Sequence, residues 1–117
     1  MDDKTLTMTL LFDFFGDLLT EKQREYFDLY YNEDLSLSEI AEKSGISRQG
    51  VRDNIIRAES ALIDYEKKTG IIKRFSETQA GIIALENDVN SLLSISNSSE
   101  ERNIALKMLE KLQDMKG

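Results

Sequence analysis

The chain has no cysteine, no histidine and no proline among its 117 residues. Without cysteine there is no disulfide and no thiol nucleophile. Without histidine as well, there is no Cys/His metal site and no imidazole general base. The absence of proline, with strong helix formers dominating, points to an all-α fold rather than a β one. No apolar run approaches membrane-spanning length, and the start MDDK is acidic rather than the basic leader of a signal peptide. The expectation is therefore a cytoplasmic chain with no membrane insertion. No phosphate-cradling glycine loop and no ligand-rich acidic loop is present, so neither a cofactor nor a metal is expected.

What the chain does have is charge, unevenly placed. The net charge is −7, and 32% of the residues are charged. Residues 1–42 hold three Lys/Arg against eleven Asp/Glu, a net of −8; residues 43–74 hold eight against four, a net of +4; residues 75–117 hold four against seven, a net of −3. An acidic total counts against a protein coated in nucleic acid, but the only basic segment is local and continuous. Apolar residues make up 40%, enough for one compact domain with a helical extension.

Taken in order, Met8, Leu11, Phe12 and Phe15 recur at helical spacing and predict a helix from about Thr5 to Phe15, ended at Gly16. Thr20 with Gln23 has the capping-box pattern and opens a second helix carrying Tyr26, Phe27, Tyr30 and Tyr31, which read as core. The turn NEDL follows. Residues 37–57, LSEIAEKSGISRQGVRDNIIR, then read as helix, tight turn and helix. Ser36 and Glu39 form a capping box, Gly45 supplies a positive φ, Ser47 caps the second helix, and Val51 and Ile55 turn into the core. Beyond it, Val51, Ile55, Ala58, Leu62 and Tyr65 continue a heptad-like seam to a stop at KKTG. Further helices are predicted from about Lys73, with Phe75, Ile82, Leu85, Val89 and Leu92 on one side, and after the Ser-rich linker SISNSSEE, with Ile104, Met108, Leu112 and Met115 as a stripe. The expected division is a helix-turn-helix domain over 1–70 and a C-terminal helical extension over 71–117.

Catalysis is hard to build from these residues, because the carboxylates fall at termini, turns and helix starts rather than in a cluster. Nucleic-acid contact is better supported. The early residues of the second motif helix are the ones that enter a major groove, and its N-terminus approaches phosphates. The candidate contacts are Lys43, Ser47, Arg48, Gln49, Arg52, Asp53 and Arg57. Arg suits guanine O6/N7, Gln suits adenine N6/N7, and Ser47 and Lys43 suit phosphate oxygens. Two residues work against this face: Asp53 is an acid, and Gly50 weakens the helix. Arg48 could also be a mere ion-pair partner of Asp53. The apolar residues Leu62, Tyr65, Ile82, Leu85, Val89 and Leu92 are the candidate dimer or partner interface, and a homodimer is expected.

SEIAEKSGISRQGVRDNI resembles the helix-turn-helix of bacterial sigma-factor region 4. The wider stretch, through LFDF (Leu11–Phe14), LLTEKQR (Leu18–Arg24), LYY (Leu29–Tyr31), SLSEIAE (Ser36–Glu42), SRQGV (Ser47–Val51) and DNI (Asp53–Ile55), resembles the YlxM-like family of small bacterial proteins over about residues 8–70. Where that family more often reads SRQAVYDNIKR, this chain has Gly50, Arg52 and Ile56. The resemblance implies DNA binding through the sigma-like motif. It also implies a link to the signal recognition particle pathway, because the family's gene lies beside those for the particle's protein and receptor. Two readings follow: a non-enzymatic regulator or accessory factor contacting DNA, with the particle's RNA a further candidate, or a protein–protein adaptor that keeps the motif as scaffold and contacts the particle's protein or receptor.

Overall fold

The computed structural model describes residues 2–116, and every regular element among them is helical. The helices are α1 (Asp3–Phe15), α2 (Glu21–Tyr31), α3 (Leu37–Ser44), α4 (Arg48–Thr69), α5 (Ile71–Ile95) and α6 (Ser99–Met115), with one 3₁₀ turn at Gly16–Leu18 between α1 and α2. The chain divides into two compact units, Met1–Ile72 and Lys73–Gly117.

Local chemistry sets most of the boundaries. α1 begins two residues before the expected Thr5, because the Asp2 carboxylate accepts the Thr5 N–H at 2.7 Å and so caps it. Reciprocal capping boxes open α2, through Thr20 and Gln23, and α3, through Ser36 and Glu39. α4 stops at Gly70, left-handed at φ 64°, whose N–H reaches the Glu66 carbonyl at 2.8 Å. α5 starts at once, earlier than Lys73, because side chains of α4 take its first orphan donors: Ile71 N–H donates to Thr69 Oγ1 (3.3 Å) and Ile72 N–H to Glu66 Oε1 (2.8 Å).

In the first unit α4 is the spine. Its upper half, Val51 and Ile55, packs with Tyr26 and Ile40 from α2 and α3. Its lower half, Ala58 and Leu62, packs with Met8, Leu11, Phe15, Leu19 and Phe27. Ala58 is fully buried and small, which lets the surrounding helices approach α4 closely. Aromatic rings fill the space around it, with Phe27 stacked between Phe12 (4.7 Å) and Tyr31 (4.5 Å). The Tyr31 hydroxyl donates to the Glu59 carboxylate, and Lys4 Nζ lies 3.6 Å from the same carboxylate, so one polar cluster ties α1, α2 and α4 together. Burial first, and the Glu59 carboxylate second, push the Tyr31 phenol well above its ordinary value, so it stays a donor.

The seam Val51–Tyr65 is thus occupied by the chain's own helices. Leu62 is buried by α1 and α2, and Tyr65 packs beside Phe15 at 6.0 Å and donates to the Leu18 carbonyl at 3.3 Å. Leu62 is fully buried there, and Tyr65 is half-buried.

The second unit is a helical hairpin. Gln79 Nε2 donates to the Lys116 carbonyl (2.9 Å), and the Arg102 guanidinium donates to the Leu93 carbonyl (2.6 Å), which fixes α5 and α6 as antiparallel and caps the end of α5. Its seam is Ile82 and Val89 against Ala105 and Leu112, flanked by a Lys116–Glu86 ion pair of 2.6 Å. Of the expected interface, Ile82 and Val89 are therefore interior, whereas Leu85 and Leu92 stand half exposed. The α6 stripe is also rotated: Ala105 and Leu112 face inward, and Ile104, Met108 and Met115 face outward. No helix of the described residues is long and apolar enough to cross a membrane.

Candidate nucleic-acid interface

The motif from Ser36 to Arg57 is built by short-range hydrogen bonds. Ser36 Oγ accepts the Glu39 N–H (3.1 Å) while the Glu39 carboxylate accepts the Ser36 N–H (3.0 Å). That backbone hydrogen bond, helped by the Ser36 hydroxyl, holds the Glu39 carboxyl below the ordinary glutamate range. Gly45 ends α3 at φ 72°, its N–H on the Ala41 carbonyl at 2.9 Å. Ser47 Oγ accepts the Gly50 N–H at 3.0 Å and caps α4. Ile40, Val51 and Ile55 then lock α3 and α4 together from beneath. Gly50 also has a local reason to be small. A Cβ there would come within 3.2 Å of the capping Ser47 hydroxyl and 3.5 Å of Ile46 Cδ1.

With Val51 and Ile55 facing inward, the outer stripe of α4 consists of Gln49, Asp53 and Arg57, four residues apart, and Arg48 and Arg52 run along one flank. Lys43 is exposed at the end of α3, and Ser47 lies at the turn. The seven sequence-derived contact residues thus run from the last turn of α3, through the turn, along the first three turns of α4. Asp53 is not paired with Arg48. It accepts Gln49 Nε2 at 3.0 Å, an i, i+4 hydrogen bond along the stripe. Among the described residues, Lys43, Arg48, Arg52 and Arg57 have no ion pair or hydrogen bond from their side chains. They are cations held on a rigid frame with their hydration as the only competitor.

Two side chains on this surface escaped the sequence reading. Ile46 in the turn and Ile56 on α4 are 39% and 40% exposed. Ile56 borders a shallow depression with Tyr30, Tyr31, Leu37 and Arg52. The signal was available for Ile56, which stands at a position where the resembled family has a lysine. Asn54, by contrast, is turned to its own helix, with Nδ2 donating to the Gly50 carbonyl at 2.9 Å.

A capped helix, a left-handed glycine turn and a second capped helix over a shared core define this first unit as a helix-turn-helix domain, lengthened by the continuation of α4. Comparison with known proteins carries this further. The family model described as "Putative helix-turn-helix protein, YlxM / p13 like" matches residues 2–106, and the chain belongs to that family. It is 44% identical over 112 residues to a UPF0122 protein of Shouchella clausii, covering 96% of this chain and 99% of the relative. To one from Halalkalibacterium halodurans it is 44% identical over 113 residues, 97% of this chain and all of the relative. To one from Thermoanaerobacter sp. it is 58% identical over 77 residues, 66% of each chain.

Proposed function

We propose that the protein is a non-enzymatic, cytoplasmic DNA-binding regulator that acts as an accessory factor of the signal recognition particle pathway and contacts duplex DNA through residues 43–57. The observation that carries this reading is a set of four cations without partners among the described residues, Lys43, Arg48, Arg52 and Arg57, on the one basic segment of an acidic chain. The pathway assignment rests on the resemblance to the YlxM-like family. In the proposed complex the N-terminal turn of α4 enters the major groove. Arg48 and Arg52 meet guanine edges or phosphates, and Gln49 meets adenine. Ser47 and Lys43 meet the backbone, and Arg57 meets a phosphate further along. Asp53 orients the Gln49 amide and can accept from cytosine N4. The A-form major groove of the particle's RNA is too narrow for this helix, so duplex DNA is favoured over that RNA.

Fluorescence anisotropy against duplex DNA over a salt series tests the reading. Arg48→Ala, Arg52→Ala and Arg57→Ala should each weaken binding and flatten the dependence of log K on log salt by about one unit for every phosphate left without its cation. No binding to duplex DNA at low salt overturns it. Capture of the particle's protein or receptor that survives all three changes would instead favour the adaptor reading.

A further inference from the structure

The α5–α6 hairpin carries two apolar faces and uses one of them internally. Its seam pairs Ile82 and Val89 with Ala105 and Leu112. Three residues after each seam residue comes another large apolar side chain: Leu85 and Leu92 on α5, Met108 and Met115 on α6. A three-residue step turns the side chain about 60° from the seam direction. Because the two helices are antiparallel and face each other, the same step on both leads to the same side of the hairpin. Ile95 and Ile104 extend that side at the linker end, where an open groove of about 340 Å³ runs between them, Leu92 and Met108. These six residues are 42–75% exposed. Gly81, one turn before Leu85, lies on the same side of a 25-residue helix. A Cβ there meets nothing within 4 Å, so no contact among the described residues explains a residue that weakens a helix interior.

We propose that this face is covered by a second copy of the chain, the two hairpins closing into a four-helix bundle. The exposed area of the six side chains is on the order of 600 Å² per copy. That is the upper limit for a single patch on a monomer and most of the ~800 Å² per partner of a standard interface. A two-helix layer is completed by another two-helix layer of equal length and equal repeat, which a second copy supplies by symmetry. The seven-residue spacing of Leu85–Leu92 and of Met108–Met115 is the repeat that knobs-into-holes packing requires. Asp88 borders the face on α5 and Lys111 borders it on α6. Laying α5 of one copy across α6 of the other therefore brings unlike charges to each edge. Gly81 then has a reason: it admits the facing helix where a side chain would hold it off.

Sedimentation velocity of the full chain at micromolar concentration tests this without nucleic acid, so its result is independent of the proposed function. The expected mass is that of two chains. Leu85→Glu combined with Leu92→Glu should give one-chain mass with unchanged far-UV circular dichroism, since both side chains lie outside the seam. Gly81→Leu should raise the dissociation constant at least tenfold with the far-UV circular dichroism unchanged, its Cβ having no atom within 4 Å. A wild-type monomer, or a dimer of undiminished affinity in both variants, overturns the proposal.

Discussion

Gly45→Ala isolates the turn on which the motif depends. Gly45 sits at φ 72° and ψ 25°, and an added Cβ there meets no atom within 4 Å. Crowding therefore contributes nothing, and the whole effect is conformational. Holding an L-residue in the left-handed region costs about 1–2 kcal/mol, whereas the reduced freedom of the unfolded chain offsets about 0.4–1 kcal/mol. The expected net loss is about 1 kcal/mol. For a unit of this size that corresponds to a fall in melting temperature of roughly 4–8 °C. The molecule provides its own probe: Tyr26, Tyr30, Tyr31 and Tyr65 all lie in the first unit, and there is no tryptophan. Near-UV circular dichroism in the tyrosine band, to the red of the Phe75 signal, thus follows that unit alone on heating. Gly45→Asn should lose less, since asparagine tolerates the left-handed region better. Gly70→Ala, at φ 64° with equally open surroundings, should lose as much as Gly45→Ala. A Gly45→Ala chain as stable as wild type would refute the turn geometry.

Three further outcomes are expected. Leu62→Ala empties a fully buried site between α1, α2 and α4 and should cost about 2–5 kcal/mol by urea unfolding, with less than 1 kcal/mol marking a seam that is not interior. Glu39 has its carboxyl lowered in the folded state, so its contribution is present above the unfolded value and is lost as pH falls through the folded one. Glu39→Gln should therefore flatten the loss of stability on the acid side of the ordinary glutamate range, and an unchanged pH profile of urea midpoints would count against the capping box. Asp53→Asn removes the acid from the outer stripe and should tighten binding to duplex DNA several-fold at low salt, with weaker binding indicating that Asp53 itself reads a base.

The motif was legible because its signals are local. Ser36, Glu39, Gly45 and Ser47 act within four residues of themselves, and the structure uses each in the role its chemistry indicates. Periodicity is less informative, because it marks a face as covered without saying by what. The spacing Val51–Tyr65 is real, but α1, α2 and α3 take it up, so Leu62 is interior and Tyr65 packs beside the same cluster. On α5 two heptad sets three residues apart read as one stripe, and only the packing of α6 separates interior Ile82 and Val89 from outward Leu85 and Leu92. On α6 the small Ala105 is inconspicuous beside Ile104, yet it is the residue that lets α5 approach. The Gln49–Asp53 bond is hidden for a different reason. Charge suggests Arg48 for Asp53, but five residues separate those two, while Gln49 lies one turn away on the same stripe.

One helix serves both as core and as candidate reading surface, and this constrains how α4 can work. Turning it to re-aim Gln49, Asp53 and Arg57 would drag Val51, Ile55, Ala58 and Leu62 out of two packed clusters at once. In the proposed complex any base preference is thus set by which side chains α4 displays, not by motion of the helix. Charge sets a second constraint. Residues 1–42 carry −8 against the +4 of residues 43–74, so a polyanion is repelled until contact is close. At 0.1 M salt that repulsion fades beyond about 10 Å, while contacts at the four cations persist. Added salt therefore weakens the contacts and the opposing repulsion together, and the observed slope should be shallower than the ~0.9 per phosphate of B-DNA. The acidic segment should show itself chiefly in a slow association rate that rises when salt is first added, and the cations in the dissociation rate. Neutralising Arg57 should accordingly speed release more than it slows capture, and stopped-flow measurement of the two rates separates the contributions.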